Sequence, residues 1–287
     1  MNKILCIGLN TVDLQFLVDI YPDSNSKVKA SKNEIFAGGP ATNAAITAAF
    51  LGSRVTLLSP IGKHSLSEFI KDDIIKHNVD LIDPIENQES KPIFASIITT
   101  ENSGERTIFS YHPPKQQFEC EVAEILNTDY DIVLFDGFYP ELAIPFAKNF
   151  RDKGITTVLD GGSWKPGLDE LLQYIDIAIC SDDFYPPNCS TKSEVFHMLD
   201  SYHVKLKAIT QGDDHILAEY GKTNELINVQ KVDVVDTLGA GDIVHGAFCH
   251  YFQGDFISAL QDASQVASFS CSYFGTREWM EQFGVNV

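Results

Sequence analysis

Short β-branched, apolar runs alternate with stretches of helical apolar spacing over nearly all of the 287 residues. That alternation limits what the chain can fold into more than any other feature. It is the pattern of βαβ units feeding a mainly parallel sheet, and it predicts an α/β fold. Candidate buried strands cover residues 3–8, 54–59, 131–135, 156–159, 175–179 and 206–210. Candidate helices cover 41–51, 65–77, 141–153, 191–202 and 240–252.

Two segments break the rhythm, 14–36 and 93–111. The second reads as strand, turn, strand around Asn102-Ser103-Gly104. They are expected to form a small β flap over the strand ends. Because they interrupt the core elements, no linker separates them, and residues 1–287 read as a single domain without internal repeats.

Composition removes several function classes. A net charge of −19 repels nucleic acid phosphates and anionic membrane surfaces, both of which are bound through clustered Lys and Arg. Cys6, Cys120, Cys180, Cys189, Cys249 and Cys271 show neither a CxxC pair nor zinc-finger spacing. Cys6 and Cys180 lie in apolar runs, where a thiol packs as a small core residue. No stretch approaches the ~18 apolar residues of a membrane span, and the amino terminus enters a strand without an apolar leader. These features predict a cytosolic protein.

The most informative stretch is VDVVDTLGAGDIVHGAFCHYF, residues 232–252. An extended β-branched run meets Gly239-Ala240-Gly241-Asp242 and passes into a helix. Small residues let the backbone approach a ligand, and the unpaired N–H groups of a helix start face outward, so the turn is an anion site. A carboxylate there opposes simple phosphate binding, but it suits a base. Asp242 can accept a proton from an attacking hydroxyl while the turn and a metal absorb charge on a transferred phosphoryl group. An ordinary helix start with Asp in its first turn is the alternative reading of the same residues.

The segment DTLGAGD followed by an aliphatic residue and HGAF resembles the carboxyl-terminal signature of the ribokinase-like (PfkB) carbohydrate kinases, with Val244 where Phe is usual and His245 where Asn is frequent. A second segment, AGGPATNAAITAAFLG, is similar to that family's amino-terminal GGxxxNxAxxxxxLG signature. The resemblance implies a ribokinase-like three-layer sandwich with a mainly parallel central sheet and a small β lid. It implies Asp242 as catalytic base, with Gly239, Ala240 and Gly241 as the anion hole. Gly38 and Gly39 let the chain approach the sugar, Asn43 bonds a hydroxyl, and Asp13, after Gly8-Leu9-Asn10-Thr11-Val12, is a further sugar contact. Asp136, at a strand's carboxyl end, is another substrate candidate.

Other resemblances are partial. Gly104-Glu105-Arg106-Thr107-Ile108 is similar to the family's lid strand. Thr210-Gln211-Gly212 resembles the opening of its ATP loop, and residues 267–275 resemble its adenine-side helix, with Ser264, Cys271 and Gly275 as wall residues. Asp160 stands where the family reads DxNxR, but Gly162 replaces the Asn. Ser181-Asp182-Asp183-Phe184 stands where many members carry NxxE, so Ser181 becomes a nucleotide-side candidate, and Asp182 and Asp183 become candidates for Mg²⁺. The resemblance also implies a K⁺ site near Asp236, Leu238 and residues 270–275, and a homodimer formed through the lids. The expected reaction is ATP plus a sugar hydroxyl giving ADP and a sugar phosphate. A nucleoside kinase of the same fold and a non-catalytic sugar or nucleotide sensor are the alternatives.

Overall fold

In the first strand, β1 (Lys3–Ile7), Ile4 and Cys6 pack into one apolar core while Leu5 and Ile7 pack into another. Ile132 and Leu134 face the first core and Val133 and Phe135 the second; Ile177 and Ile179 separate from Ala178 and Cys180 in the same way. A strand that is apolar on both faces needs helices on both sides of its sheet. The computed structural model has that arrangement. It describes residues 1–112 and 123–284, so Cys120 and the last three residues of the expected domain lie outside the described residues.

After β1 come β2 (Thr11–Val18), β3 (Lys32–Gly38), α1 (Pro40–Phe50), β4 (Arg54–Leu58), α2 (Ser67–Lys76), β5 (Val79–Ile82), β6 (Phe94–Thr100) and β7 (Arg106–Tyr111). The remainder runs α3 (Ala123–Leu126), β8 (Ile132–Phe135), α4 (Pro140–Asp152), β9 (Thr156–Gly161), α5 (Leu168–Leu171), β10 (Ile177–Ser181), α6 (Lys192–Ser201) and β11 (Leu206–Thr210). It ends with β12 (His215–Tyr220), β13 (Thr223–Asn228), α7 (Ala240–Tyr251), α8 (Phe256–Ser270) and α9 (Glu278–Gln282).

The large sheet has nine strands in the order β13-β12-β11-β10-β9-β8-β1-β4-β5. Pairing is parallel from β5 to β11, and the β12–β13 hairpin adds an antiparallel edge. Helices α1, α2, α7, α8 and α9 supply one core; α4, α5 and α6 supply the other. The expected strands and helices all form, with ends within two residues of the expectation.

The interrupting segments form a separate four-stranded sheet, β3-β2-β6-β7, with antiparallel outer pairs and a parallel β2–β6 centre. Its strands extend further than expected, since β2 begins at Thr11 and β3 ends at Gly38. Asp13 and Gly38 therefore belong to this sheet. No helix among the described residues is long and apolar enough to cross a membrane.

Candidate active site

β1 pairs with β4 on one side and with β8 on the other, so strand order reverses at β1 and leaves a crevice beyond the carboxyl ends of β1 and β8. Asp136 follows β8 into that crevice. Its Oδ2 accepts N–H bonds from Leu9 at 2.7 Å and Ala41 at 3.2 Å, and its Oδ1 accepts one from Phe138 at 3.0 Å. A Cβ on Gly8 would lie 2.1 Å from this carboxylate. Asp136 thus pins the β1–β2 connection to the first turn of α1, and both oxygens are engaged by backbone. Burial pushes its pKa up to about 6, against the pull of the Leu9 and Phe138 N–H groups.

Asp13 projects from β2 and is buried. Thr11 Oγ1 donates to its Oδ1, and a Cβ on Gly38 would lie 2.0 Å from Oδ2. Burial raises its pKa to about 6, opposed by the Thr11 bond and the Arg277 charge. Gly39, at φ 96°, caps α1 ahead of Pro40; a side chain there would also meet the Leu9 carbonyl oxygen at 2.5 Å. The lack of side chains at these two glycines lets the Asp13 carboxylate and the Leu9 backbone approach the start of α1.

Helix α1 is packed with alanine and buried on every side from Ala41 to Ala48. It crosses α7 so closely that a Cβ on Gly246 would lie 2.2 Å from the Ala44 carbonyl oxygen. That contact brings Asn43 to Asp242: Asn43 Nδ2 donates to Asp242 Oδ2 at 2.7 Å. Gly239, at φ 70°, starts α7, and space is open above Gly241, in the first turn of the helix. Asp242 is pushed up to about 7, mainly by loss of water and then by the Asp160 charge; the Asn43 bond and His245 oppose the shift. A carboxylate tuned this way can take a proton near neutral pH.

His245 lies under that turn. Its Nδ1 is 2.7 Å from the Gly241 carbonyl oxygen and its Nε2 is 2.9 Å from the Ile179 carbonyl oxygen, while Asp160 Oδ2 is 3.5 Å from Nδ1. The ring ties the first turn of α7 to β10 and sets a second carboxylate behind Asp242.

The nucleotide-side candidates lie along the neighbouring strand ends. Ser181 ends β10, with Oγ donating to the Gly162 carbonyl oxygen at 2.7 Å and accepting from the Asp183 N–H at 3.1 Å. Thr210 ends β11, and Gly212, at φ 60°, turns towards β12 with open space above it. Asp182 and Asp183 are both exposed, and Asp182 pairs with Lys192 at 2.8 Å. Magnesium held by phosphates and water needs at most one or two carboxylates, a demand Asp183 meets. Ser264 is buried on α8. Cys271 and Gly275 pack against the loop that leads into α7: the Cys271 carbonyl accepts from Val235 and Asp236, and the Gly275 N–H donates to Asp236 Oδ2 at 2.8 Å.

Asp236, in the expected K⁺ region, is buried: Leu238 N–H donates to its Oδ1, and both Gly275 N–H and Gln15 Nε2 donate to its Oδ2. The Gln15 bond joins β2 to the loop that leads into α7. Arg106 Nη1, on β7, donates to Thr237 Oγ1 at 2.6 Å and makes a second link between the same parts.

Gln15 and Arg277 carry no motif, and sequence reasoning missed both. Arg277 Nη2 donates to Asn43 Oδ1 at 3.0 Å and to the Ala37 carbonyl oxygen at 2.8 Å, and Nη1 donates to Thr276 Oγ1 at 2.8 Å. Burial lowers its pKa to about 10, against the pull of Asp73, Asp13 and Asp242, and it stays charged at neutral pH.

Residues 1–282 match the family described as pfkB family carbohydrate kinase. Ribokinase of Staphylococcus aureus (strain COL) is 25% identical over 96% of this chain and 95% of its own. Deoxyribokinase of Salmonella typhi is 26% identical over 96% and 94%. The structure of Arabidopsis thaliana ribokinase complexed with ribose and ATP superposes with a TM-score of 0.74 at 19% identity, covering 96% of this chain and 94% of that one.

Proposed function

Because the chain belongs to the pfkB family of carbohydrate kinases, we propose that it transfers the γ-phosphoryl group of ATP to a sugar hydroxyl, with Asp242 as the general base. The observation that carries this reading is the Asn43–Asp242 hydrogen bond, which joins the sugar side of the crevice to the anion cradle of α7. The likeness to ribokinases and deoxyribokinases supports a small sugar as acceptor.

The sugar lies between Asp13 and the first turn of α1. The Asp13 carboxylate accepts hydroxyl hydrogen bonds, and Gly38 and Gly39 let the ring approach the backbone. Asp242 takes the proton of the attacking hydroxyl as its oxygen bonds to the γ-phosphorus; the bond to the β-phosphate oxygen breaks, and ADP departs. N–H groups of the Gly239-Ala240-Gly241 turn stabilise the equatorial oxygens. Thr210, Gly212, Ser181 and Ser264 line the nucleotide side. Asp183 would help to hold Mg²⁺, which would supply positive charge against that developing on the phosphoryl group.

The small sheet acts as a lid that excludes water. Its inner face carries Asp13 and Gln15. Its outer face shows Ile35, Phe109 and Tyr111 at 52%, 57% and 62% exposure, beside Leu14 and Phe16. A contiguous apolar face of this kind supports pairing of two chains through their lids. Buried free thiols at Cys6, Cys180 and Cys249 fit a reducing cytoplasm.

The test is ADP release from ATP and Mg²⁺ across a panel of pentoses, hexoses and nucleosides. Turnover with a free sugar supports the reading; turnover restricted to nucleosides, or none with any acceptor despite ATP binding, contradicts it.

A further inference from the structure

The segment after α8 lies outside both signature motifs, yet it reaches the catalytic centre. Trp279 is fully buried against Phe50 and Phe283, and its Nε1 donates to the Thr276 carbonyl oxygen at 3.0 Å. That anchor fixes the two residues between them, Arg277 and Glu278. Arg277 Cζ lies over the Phe36 ring, 5.6 Å from its centroid, and Nη2 bridges the Ala37 carbonyl oxygen and Asn43 Oδ1. Thr276 Cγ2 also stands 2.7 Å from where a Cβ on Gly239 would be, so the segment abuts the catalytic turn.

An amide side chain can point either way round, but here the choice is forced. Turned over, Asn43 would set its NH₂ group against the Arg277 donor and its oxygen against the Asp242 carboxylate. Both contacts would be repulsive. Arg277 has no acceptor and cannot change role, so it imposes one orientation on Asn43 whatever the charge on Asp242. Asp242 alone could not do this: once protonated it could bond the amide either way round.

We propose that Arg277 is a positioning residue for phosphoryl transfer. Its guanidinium locks the Asn43 amide with Nδ2 towards Asp242 Oδ2, leaving Oδ1 of Asp242 as the oxygen that takes the hydroxyl proton. The proton that Asp242 acquires then stays on the side facing substrate, from which it can leave. This rests on Asp242 being the base, a premise that the D242N variant tests separately.

The experiment is a double-mutant cycle on the full chain, with R277M, N43A and R277M/N43A assayed for kcat, KM for ATP, the acid limb of the pH–rate profile and melting temperature. R277M is expected to lower kcat by about 10- to 100-fold with KM for ATP within about twofold. Its acid limb should move to higher pH, because a donor to the ionised carboxylate is no longer held in place. In the N43A background the same change should cost no further activity. Multiplying losses, or an unmoved acid limb, would assign Arg277 a structural role and overturn the proposal. If R277M does not fold, R277K carries the same readout: an ammonium keeps the charge but lacks the fork, so a wild-type kcat and pH limb in R277K would overturn the proposal too. Wild-type turnover in D242N would remove the premise and the proposal together; an inactive D242N with multiplying losses in the cycle removes only the proposal.

Discussion

Asn43 on α1 and Asp242 on α7 lie 199 residues apart in sequence and share a 2.7 Å hydrogen bond. The two signature segments therefore meet as one unit.

The pH dependence of activity and stability should run in opposite directions. Asp242 must be ionised to act, so kcat/KM should rise tenfold per pH unit below a midpoint near 7 and level off above it. Asp13 and Asp136, raised to about 6, share the upward shift. A carboxyl group that holds its proton more tightly in the folded protein contributes stability that is full below about pH 4 and is lost as pH rises through 6 to 7. The melting temperature of the protein without substrate should accordingly fall between pH 5 and pH 8. A melting temperature that climbs over this range would contradict the burial of these groups.

Gly246→Ala should damage catalysis more than stability suggests. The added methyl would lie 2.2 Å from the Ala44 carbonyl oxygen, so α1 and α7 must separate and draw Asn43 away from Asp242. A displacement of that order costs about 100-fold in kcat. Steady-state kinetics on the folded variant check this, with the substrate KM expected to change little.

Gly38→Ala should act on the sugar alone. Its Cβ would occupy the place of the Asp13 carboxylate, 2.0 Å from Oδ2, and displace the hydroxyl acceptor. Loss of a charge-assisted hydrogen bond corresponds to roughly 10- to 100-fold in affinity. Calorimetric titration should show weakened sugar binding and unchanged ATP binding.

Asp136→Ala should be a stability variant. Three backbone N–H groups from three segments would lose their buried acceptor, at a cost of about 3 kcal/mol or more. Thermal denaturation would read this as a lowered midpoint. A wild-type melting temperature with abolished sugar binding would instead mark Asp136 as a direct substrate contact.

The parallel core was legible because its strands are apolar on both faces, a pattern that only helices on both sides of the sheet can satisfy. The glycine turns were legible because glycine at positive φ leaves a mark in the sequence at Gly39 and Gly239. The small sheet was placed but cut short, since β2 carries Asp13 and Gln15 on its inward face and polar residues in a strand read as loop or edge. The β12–β13 edge was missed because a short hairpin with exposed Thr223 and Asn224 has weak alternation. Gln15 and Arg277 were invisible for a different reason: each acts through partners more than two hundred residues away, Asp236 and Asn43, and no local pattern records such a pairing.

In the proposed reaction Asp242 takes the proton of the attacking hydroxyl. The most direct measurement is kcat of Asp242→Asn on the acceptor sugar at pH 8, with ATP and sugar binding followed by calorimetry on the same sample. The amide keeps the size of the carboxylate but not its basicity. A fall in kcat of at least about 10³-fold, with both ligands still bound, is the predicted result. Turnover within about tenfold of wild type would contradict it.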